Sequence, residues 1–273
     1  MKKKPVRKWL DEIRAVHSDV ADPAKPPPAK LEKRWTAIVA HAPPRSIFYV
    51  TDIREFSVHR TFGFSWLGRE DHTITSLQDM LSLIPDFQRI LTLYQVRAVY
   101  RIIQQECITD WDSRGRPGFF YVALRAVKDR DGRCWLAQQT SEPWQVDRNG
   151  RIVAYLNWFH LLAPYNGEGI RGEFFHRHSK QHQARIQRMN NQLLLEKQNL
   201  LSDLEIPVQQ REIMKSVYLG QTTQQIARQW GISIAGVRYH YRQIKAFSEE
   251  LFHQRFATTQ EAVTYLAEQQ ILV

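Results

Sequence analysis

The sequence predicts an α+β chain: an antiparallel sheet with helices, a long connecting helix, and an all-helical C-terminal unit. Three observations lead there. At 273 residues the chain is long enough for two cores, since domains run to about 150 residues each. Two Asp-initiated, glycine-containing turns separate three apolar runs in the middle of the chain, the pattern of a meander. Beyond residue 204 the apolar residues fall at helical spacing, interrupted at Gly220 and Gly231. An apolar share of 43% and a charged share of 24% exclude a largely disordered chain.

In chain order, residues 1–43 read as an N-terminal helix and a Pro-rich linker. Val6, Trp9, Leu10, Ile13 and Val16 share one helical face. The run Asp22-Pro-Ala-Lys-Pro-Pro-Pro-Ala29 cannot continue that helix, because proline lacks the amide donor, and a second helix starts near Leu31. Residues 44–165 form the mixed unit. Strands are expected over residues 47–50 and 56–64, helix over residues 75–105 with a break at Pro85, and strands over residues 119–127, 134–146 and 152–161. Asp129-Arg-Asp-Gly-Arg133 and Asp147-Arg-Asn-Gly-Arg151 are the hairpin turns, since Asp-Gly and Asn-Gly tolerate positive φ. Residues 166–203 read as linker helix, starting near Glu173, with Ile186, Met189, Leu193, Leu200 and Leu204 at near-heptad spacing. Two heptads leave a coiled coil and docking on the chain's own mixed unit equally open. Residues 204–273 form the helical unit.

Charge narrows the partner. Lys and Arg total 38 against 28 Asp and Glu, a formal +10, which suits nucleic acid or an anionic membrane. No run approaches the roughly 20 apolar residues of a membrane span, and no apolar core follows the basic start, so a cytoplasmic location without membrane attachment is expected. Cys107 and Cys134 stand in no CxxC pair and read as buried free thiols.

The informative stretch is residues 206–247. Gly220 is suited to close one helix, Thr222 and Thr223 to cap the next over residues 224–230, and Ser233 to cap a third from Ile234. Two helices crossing closely need a small residue, a permissive turn and an apolar residue facing back. Ala227, Gly231 and Val237 supply these, with Ile226, Trp230 and Ile232 around them. The outward face of the third helix then presents Arg238, Tyr239, Arg242 and Lys245 with no acidic residue between Ile232 and Phe247. Arg can bond guanine O6 and N7, Lys can neutralise phosphate, and the Thr222-Thr223 helix start can offer amides to a phosphate.

Arg211-Glu-Ile-Met214, Gly220-Gln-Thr-Thr-Gln-Gln-Ile-Ala227, Ile232-Ser233 and Val237-Arg-Tyr-His240 resemble the LuxR/GerE-type helix-turn-helix domain. The resemblance implies a four-helix domain of a bacterial transcription regulator, its third helix in the major groove and its fourth, matched by residues 258–272, at a homodimer contact. It implies base contacts at Arg238, Tyr239 and Arg242 and phosphate contacts at Thr222, Thr223, Gln224 and Lys245, with Ser233 at the cap joining the DNA-binding set. Double-stranded DNA is the expected partner, with RNA polymerase a further candidate. Gly236 inside the third helix and the long stretch 247–257 depart from the family pattern.

The order strand pair, helices, three-stranded meander and connecting helix resembles a PAS domain, as does the run Trp144-Gln-Val-Asp-Arg-Asn-Gly-Arg-Ile-Val153. That implies a sensor for a small-molecule or protein effector. Its ligand-binding residues are unassigned and no cofactor is expected. Trp111, Trp135, Trp144, Tyr155 and Trp158 read as core and cross-strand packing ahead of a pocket wall. His72 and His160 read as packing or surface residues. His176, His178 and His182 sit among Arg177, Lys180 and Arg185 without a carboxylate and read as a solvated basic face, so no metal site is expected. With no phosphate loop, nucleophile elbow or paired catalytic carboxylates, an enzyme is not expected. The competing class is a protein-interaction adaptor built on the same helical unit.

Overall fold

Two tight turns, each opened by an aspartate, set the register of the sheet. Asp129 Oδ1 accepts from the amides of Asp131 and Arg133 at 3.0 and 2.8 Å, and Asp147 Oδ1 from those of Asn149 and Arg151 at 2.8 and 2.9 Å. Gly132 and Gly150 take φ of 85° and 79°, where a Cβ would be strained. The expected meander is present.

The computed structural model describes residues 4–16, 23–25, 28–106 and 117–272. The N-terminal part runs α1 (Lys4–Val16), β1 (Pro23–Lys25), α2 (Pro28–Ala40), β2 (Ser46–Asp52), β3 (Ser57–Phe62), α3 (Leu77–Ser82) and α4 (Asp86–Gln105). The meander β4 (Phe119–Lys128), β5 (Cys134–Asp147) and β6 (Ile152–Pro164) follows, then β7 (Arg171–His176) and α5 (Ser179–Asp203). Last come α6 (Val208–Tyr218), α7 (Thr223–Trp230), α8 (Ile234–Phe252) and α9 (Thr259–Glu268). The sheet order is β3-β2-β6-β5-β4-β7, with β1 pairing the end of β5, and the strand pairings are antiparallel. Among the described residues no helix is long and apolar enough to cross a membrane.

Three expectations change. The connecting helix begins at Ser179, not near Glu173: residues 171–176 form β7, which pairs with β4 from Leu124↔Arg171 to Phe119↔His176. Phe174 is buried there while Phe175 stacks on Phe120 at 5.8 Å, so alternation and a distant partner override the helical reading. The Pro-rich run is not only a linker. Pro23–Lys25 adds a strand, and α2 begins at Pro28, where a missing amide donor leaves no bond unmade. Cys134 is half-buried rather than buried; Cys107 and Trp111 lie outside the described residues.

The sheet is covered on both faces. On one, α2 packs Leu31 against Val50, Trp144, Ala154 and Leu156, with Trp35 edge-on to Trp144 at 6.5 Å and Arg34 pairing with the buried Glu142. Trp158 lies there too, stacked on its cross-strand partner Phe48. The other face meets α3 and α4, and it carries Tyr49, Tyr121, Arg125 and Tyr155. His160 bonds Ser46 through Nδ1, and His72 is exposed beside Glu70, as expected of isolated histidines.

Outside α4 lie α1 and α5. Trp9 and Ile13 of α1 are fully buried, and Trp9 meets Tyr94 edge-on at 4.9 Å, burial worth about 1.5–3 kcal/mol per side chain. Arg97, 5% exposed, gathers Glu12, Glu196 and Asp203 at 2.6, 3.4 and 2.9 Å. Near the start of α5, Arg185 and Arg188 pair with Glu106. Asn190 exchanges two hydrogen bonds with the backbone of Phe174. The heptad-spaced Met189, Leu193 and Leu200 are buried in this chain's own core, so of the two alternatives the helix takes docking.

Candidate nucleic-acid interface

Local capping builds the two helices. After Gly220, at φ 75°, Thr222 Oγ1 accepts from Gln225 N at 3.3 Å while Gln225 Oε1 accepts from Thr222 N at 2.8 Å, a reciprocal box at the start of α7. Sequence reasoning missed Gln225, although Thr-x-x-Gln ahead of an apolar position signals such a box. The cap is Thr222; Thr223 is the first helical residue. α7 ends at Gly231 in the left-handed region, φ 61°, and Ser233 Oγ accepts from Gly236 N at 3.0 Å to start α8.

Burial follows the expected crossing. Ile226, Val237 and Ile244 are fully buried, and Ala227, Trp230 and Ile232 pack around them. α9 covers the far side with Ala262, Val263 and Leu266, and an aromatic group of Phe252, Phe256 and Tyr265 closes the α8–α9 corner, with Phe252 and Tyr265 at 4.7 Å. Here α8 runs on to Phe252, so residues 247–252 of the long stretch are helix rather than link. Gly236 has no packing cause: a Cβ there would meet Ser233 Oγ at 3.5 Å and Ile232 Cβ at 3.6 Å, ordinary contacts.

The opposite face is open. Arg238 and Arg242 are exposed and Tyr239 is 54% exposed, one helical turn apart on the outside of α8. Thr222, Gln224 and Ser233 are exposed on the adjoining helix starts, and Thr223 is half-buried. Lys245 stands apart from this set: half-buried, it donates to Ala257 O at 3.4 Å and faces Glu249 at 3.9 Å, which draws its charge toward the α8–α9 corner. The surface can therefore offer two planar, multidentate cations, one aromatic ring and several hydroxyl and amide groups to an anionic partner. Apolar residues are exposed on the same unit at Val208, Tyr218 and Leu219, the last at 74%.

The helical unit also touches the mixed unit. α8 packs against α4. Gln269 Oε1 accepts from Ile170 N at 3.1 Å, and Lys197 Nζ donates to Gln270 Oε1 at 2.7 Å and to Ile170 O at 3.5 Å. Of the basic His-rich stretch, His176 is buried with His182 at 3.8 Å between ring centres, and His176 Nδ1 accepts from the amide of His178; contrary to the expected absence of carboxylates, Arg177 pairs with Glu142 and Arg185 with Glu106, so the solvated part is confined to His178 and Lys180. Among the described residues no group of three ligating side chains could hold a metal.

No family model matches the chain, and no curated protein does. Among solved structures, it is similar to the VqmA dimer of Vibrio cholerae without target DNA, described as a LuxR-type receptor, at 13% identity over 86% of this chain and 87% of that one, TM-score 0.30. It is similar to the Vibrio cholerae VqmA–ligand–DNA complex at 12% identity over 88% and 89%, TM-score 0.28. It is also similar to Escherichia coli SdiA at 12% identity over 98% and 99%, TM-score 0.27. Overlays this loose carry no argument about fold or function, which rest on the chain's own residues.

Proposed function

We propose that this chain is a sequence-specific DNA-binding transcription regulator of the LuxR type, whose N-terminal PAS-like unit senses a ligand or partner. One observation carries the reading: α7 and α8 cross over a dry core of Ile226, Val237 and Ile244 while Arg238, Tyr239 and Arg242 face outward. A helix so capped and so charged suits the major groove, with the two arginines reading base edges. Thr222, Thr223, Gln224 and Ser233 serve as phosphate contacts from the helix starts. Lys245 joins them by leaving Ala257 O, a weak bond to give up.

The N-terminal part has a strand pair, helices and a meander in the order that motivates the PAS-like reading, with the strand pair bonded to the meander's last strand. The two units meet at about residue 204, and the connecting segment 166–203 now includes β7. As a homodimer in the cytoplasm, such a chain would place two α8 helices on an operator of two half-sites. RNA polymerase is a further partner of this reading, and no catalytic step is part of it.

The exposed Val208, Tyr218 and Leu219 favour a second reading, an adaptor that binds another protein through α6. Selection from random double-stranded DNA at several salt concentrations separates the two, using the full chain and an Arg238→Ala/Arg242→Ala variant. Enrichment of a two-half-site sequence, lost in the variant, is expected. Equal recovery of all sequences by both proteins, falling with salt, would leave nonspecific attraction alone and put the adaptor ahead.

A further inference from the structure

Arg238, Tyr239 and Arg242 do not exhaust the outward face of α8. The buried Val237, Ile244, Ser248 and Leu251 fix the inward direction. At about 100° per residue, the positions turned away from them fall into two rows of i, i+4 neighbours. One row is Ile234, Arg238 and Arg242. The other is Ala235, Tyr239 and Gln243, and the members of both are exposed. A charged row and an uncharged row therefore lie side by side along the helix.

Charge marks where this face ends. Beyond Ala246 the helix carries Glu249 and Glu250, which a phosphate backbone repels, so the part open to DNA stops short of them. From Ile234 to Gln243 the rise is about 14 Å, the length of about four base-pair steps. Gln243 stands inside that span, next to Arg242 and one turn beyond Tyr239. Its flank of the helix also contains Gly236, two turns earlier, and no packing within the chain accounts for the missing side chain there. A bare backbone at that point lets a partner lie close along the flank.

We propose that Gln243 is a base-reading residue of α8, recognising adenine in an A·T pair beside the guanine read by Arg242. Its amide carbonyl accepts from adenine N6 while its NH2 group donates to N7, the paired contact a glutamine makes in a major groove. Ala235, at the head of the same row, offers a methyl group to thymine. The charged row thus selects guanine and the uncharged row an A·T pair, so one helix reads a half-site of mixed composition. Gln243 is not among the contacts that the LuxR-type resemblance implies; exposure and helical phase assign it. This deepens the DNA-binding reading and rests on it.

The test is selection from random double-stranded DNA by the full chain, with Gln243→Ala and Gln243→Arg beside wild type at one salt concentration. Both exchanges keep a good helix former at an exposed position, so the fold is retained, and equal thermal melts check that. Wild type is expected to enrich adenine at one position of the half-site. Gln243→Ala should lose about tenfold in discrimination there while keeping the neighbouring guanine. Gln243→Arg should replace that adenine by guanine, because arginine bonds O6 together with the N7 that both purines share. An unchanged base preference in Gln243→Ala overturns the assignment. So does a loss of affinity that is equal for all sequences, which would make Gln243 a phosphate contact. Failure of wild type to enrich any sequence sinks the regulator reading itself, whereas an enriched sequence indifferent to Gln243 sinks this assignment alone.

Discussion

Lys197 of α5 donates to Gln270 beyond α9 at 2.7 Å, so the helical unit is tethered through a buried ammonium. Burial pushes this lysine down to about 8, and the charge of Arg125 adds to the shift. Below pH 8 Lys197 is charged in both the folded and the unfolded chain, and the cost of burying it is fully present. Between pH 8 and about 10.4 the unfolded lysine still holds the proton the folded one has lost, so stability rises with pH, by about 3 kcal/mol in all. Above about pH 10 the sign reverses. Burial raises Tyr49, Tyr100 and Tyr121, so their unfolded counterparts ionise first and favour unfolding. Urea melts from pH 7 to 11 should show the rise and fall, and Lys197→Met should abolish the rise alone.

Arg97→Met should destabilise the chain by about 2–3 kcal/mol. It leaves Glu12, Glu196 and Asp203 without their shared cation, with Glu196 keeping a partner in Arg101. The loss falls below that of a wholly buried pair because Glu12 and Asp203 keep contact with water. Denaturant midpoints of the variant against wild type check the magnitude, and a change under 0.5 kcal/mol would show the cluster to be ornamental.

Gly236→Ala should stabilise α8 by about 0.5–1 kcal/mol, since glycine in a helix interior costs that much and no neighbour stands closer than 3.5 Å to the new methyl. Calorimetry would register it as a Tm higher by about 1–2 °C. A lower Tm would mean that the helix is bent or crowded at this point.

Gly172→Ala should do the reverse. Its Cβ would stand 1.9 Å from Tyr121 Oη and 2.5 Å from Cζ, and Tyr121 is buried with little room to withdraw, so a loss of about 1–3 kcal/mol is expected. Adding Tyr121→Phe should recover part of it, because the nearest atom goes while Cζ stays. A double-mutant cycle in urea measures that coupling.

What the sequence made legible was local. The Asp-Gly and Asn-Gly turns, the caps at Thr222 and Ser233, and the Ala227–Gly231–Val237 crossing each depend on residues within a few positions of one another, and each is where the spacing placed it. What escaped depends on distant pairing. Residues 171–176 become a strand because β4 offers an edge, and Pro23–Lys25 because β5 runs past the end of β4. Arg125 hid for the same reason. Its phase within β4 put it on the inward face, but nothing near it in sequence tells that tyrosines would surround it there. Lys245, read as part of an open basic face, is drawn aside by Ala257 and Glu249, one of them a full helical unit's corner away in the chain.

Ion pairs at two levels of α5 join it to α4 and its C-cap, at Glu106 with Arg185 and Arg188 and at Arg97 and Arg101 with Glu196. Two helices pinned twice behave as one beam, and the 25 residues of α5 make it about 37 Å long. A tilt of roughly 10° at the sheet would sweep its far end through about 6 Å. Small adjustments of packing over the sheet would thus be magnified where the chain enters the helical unit.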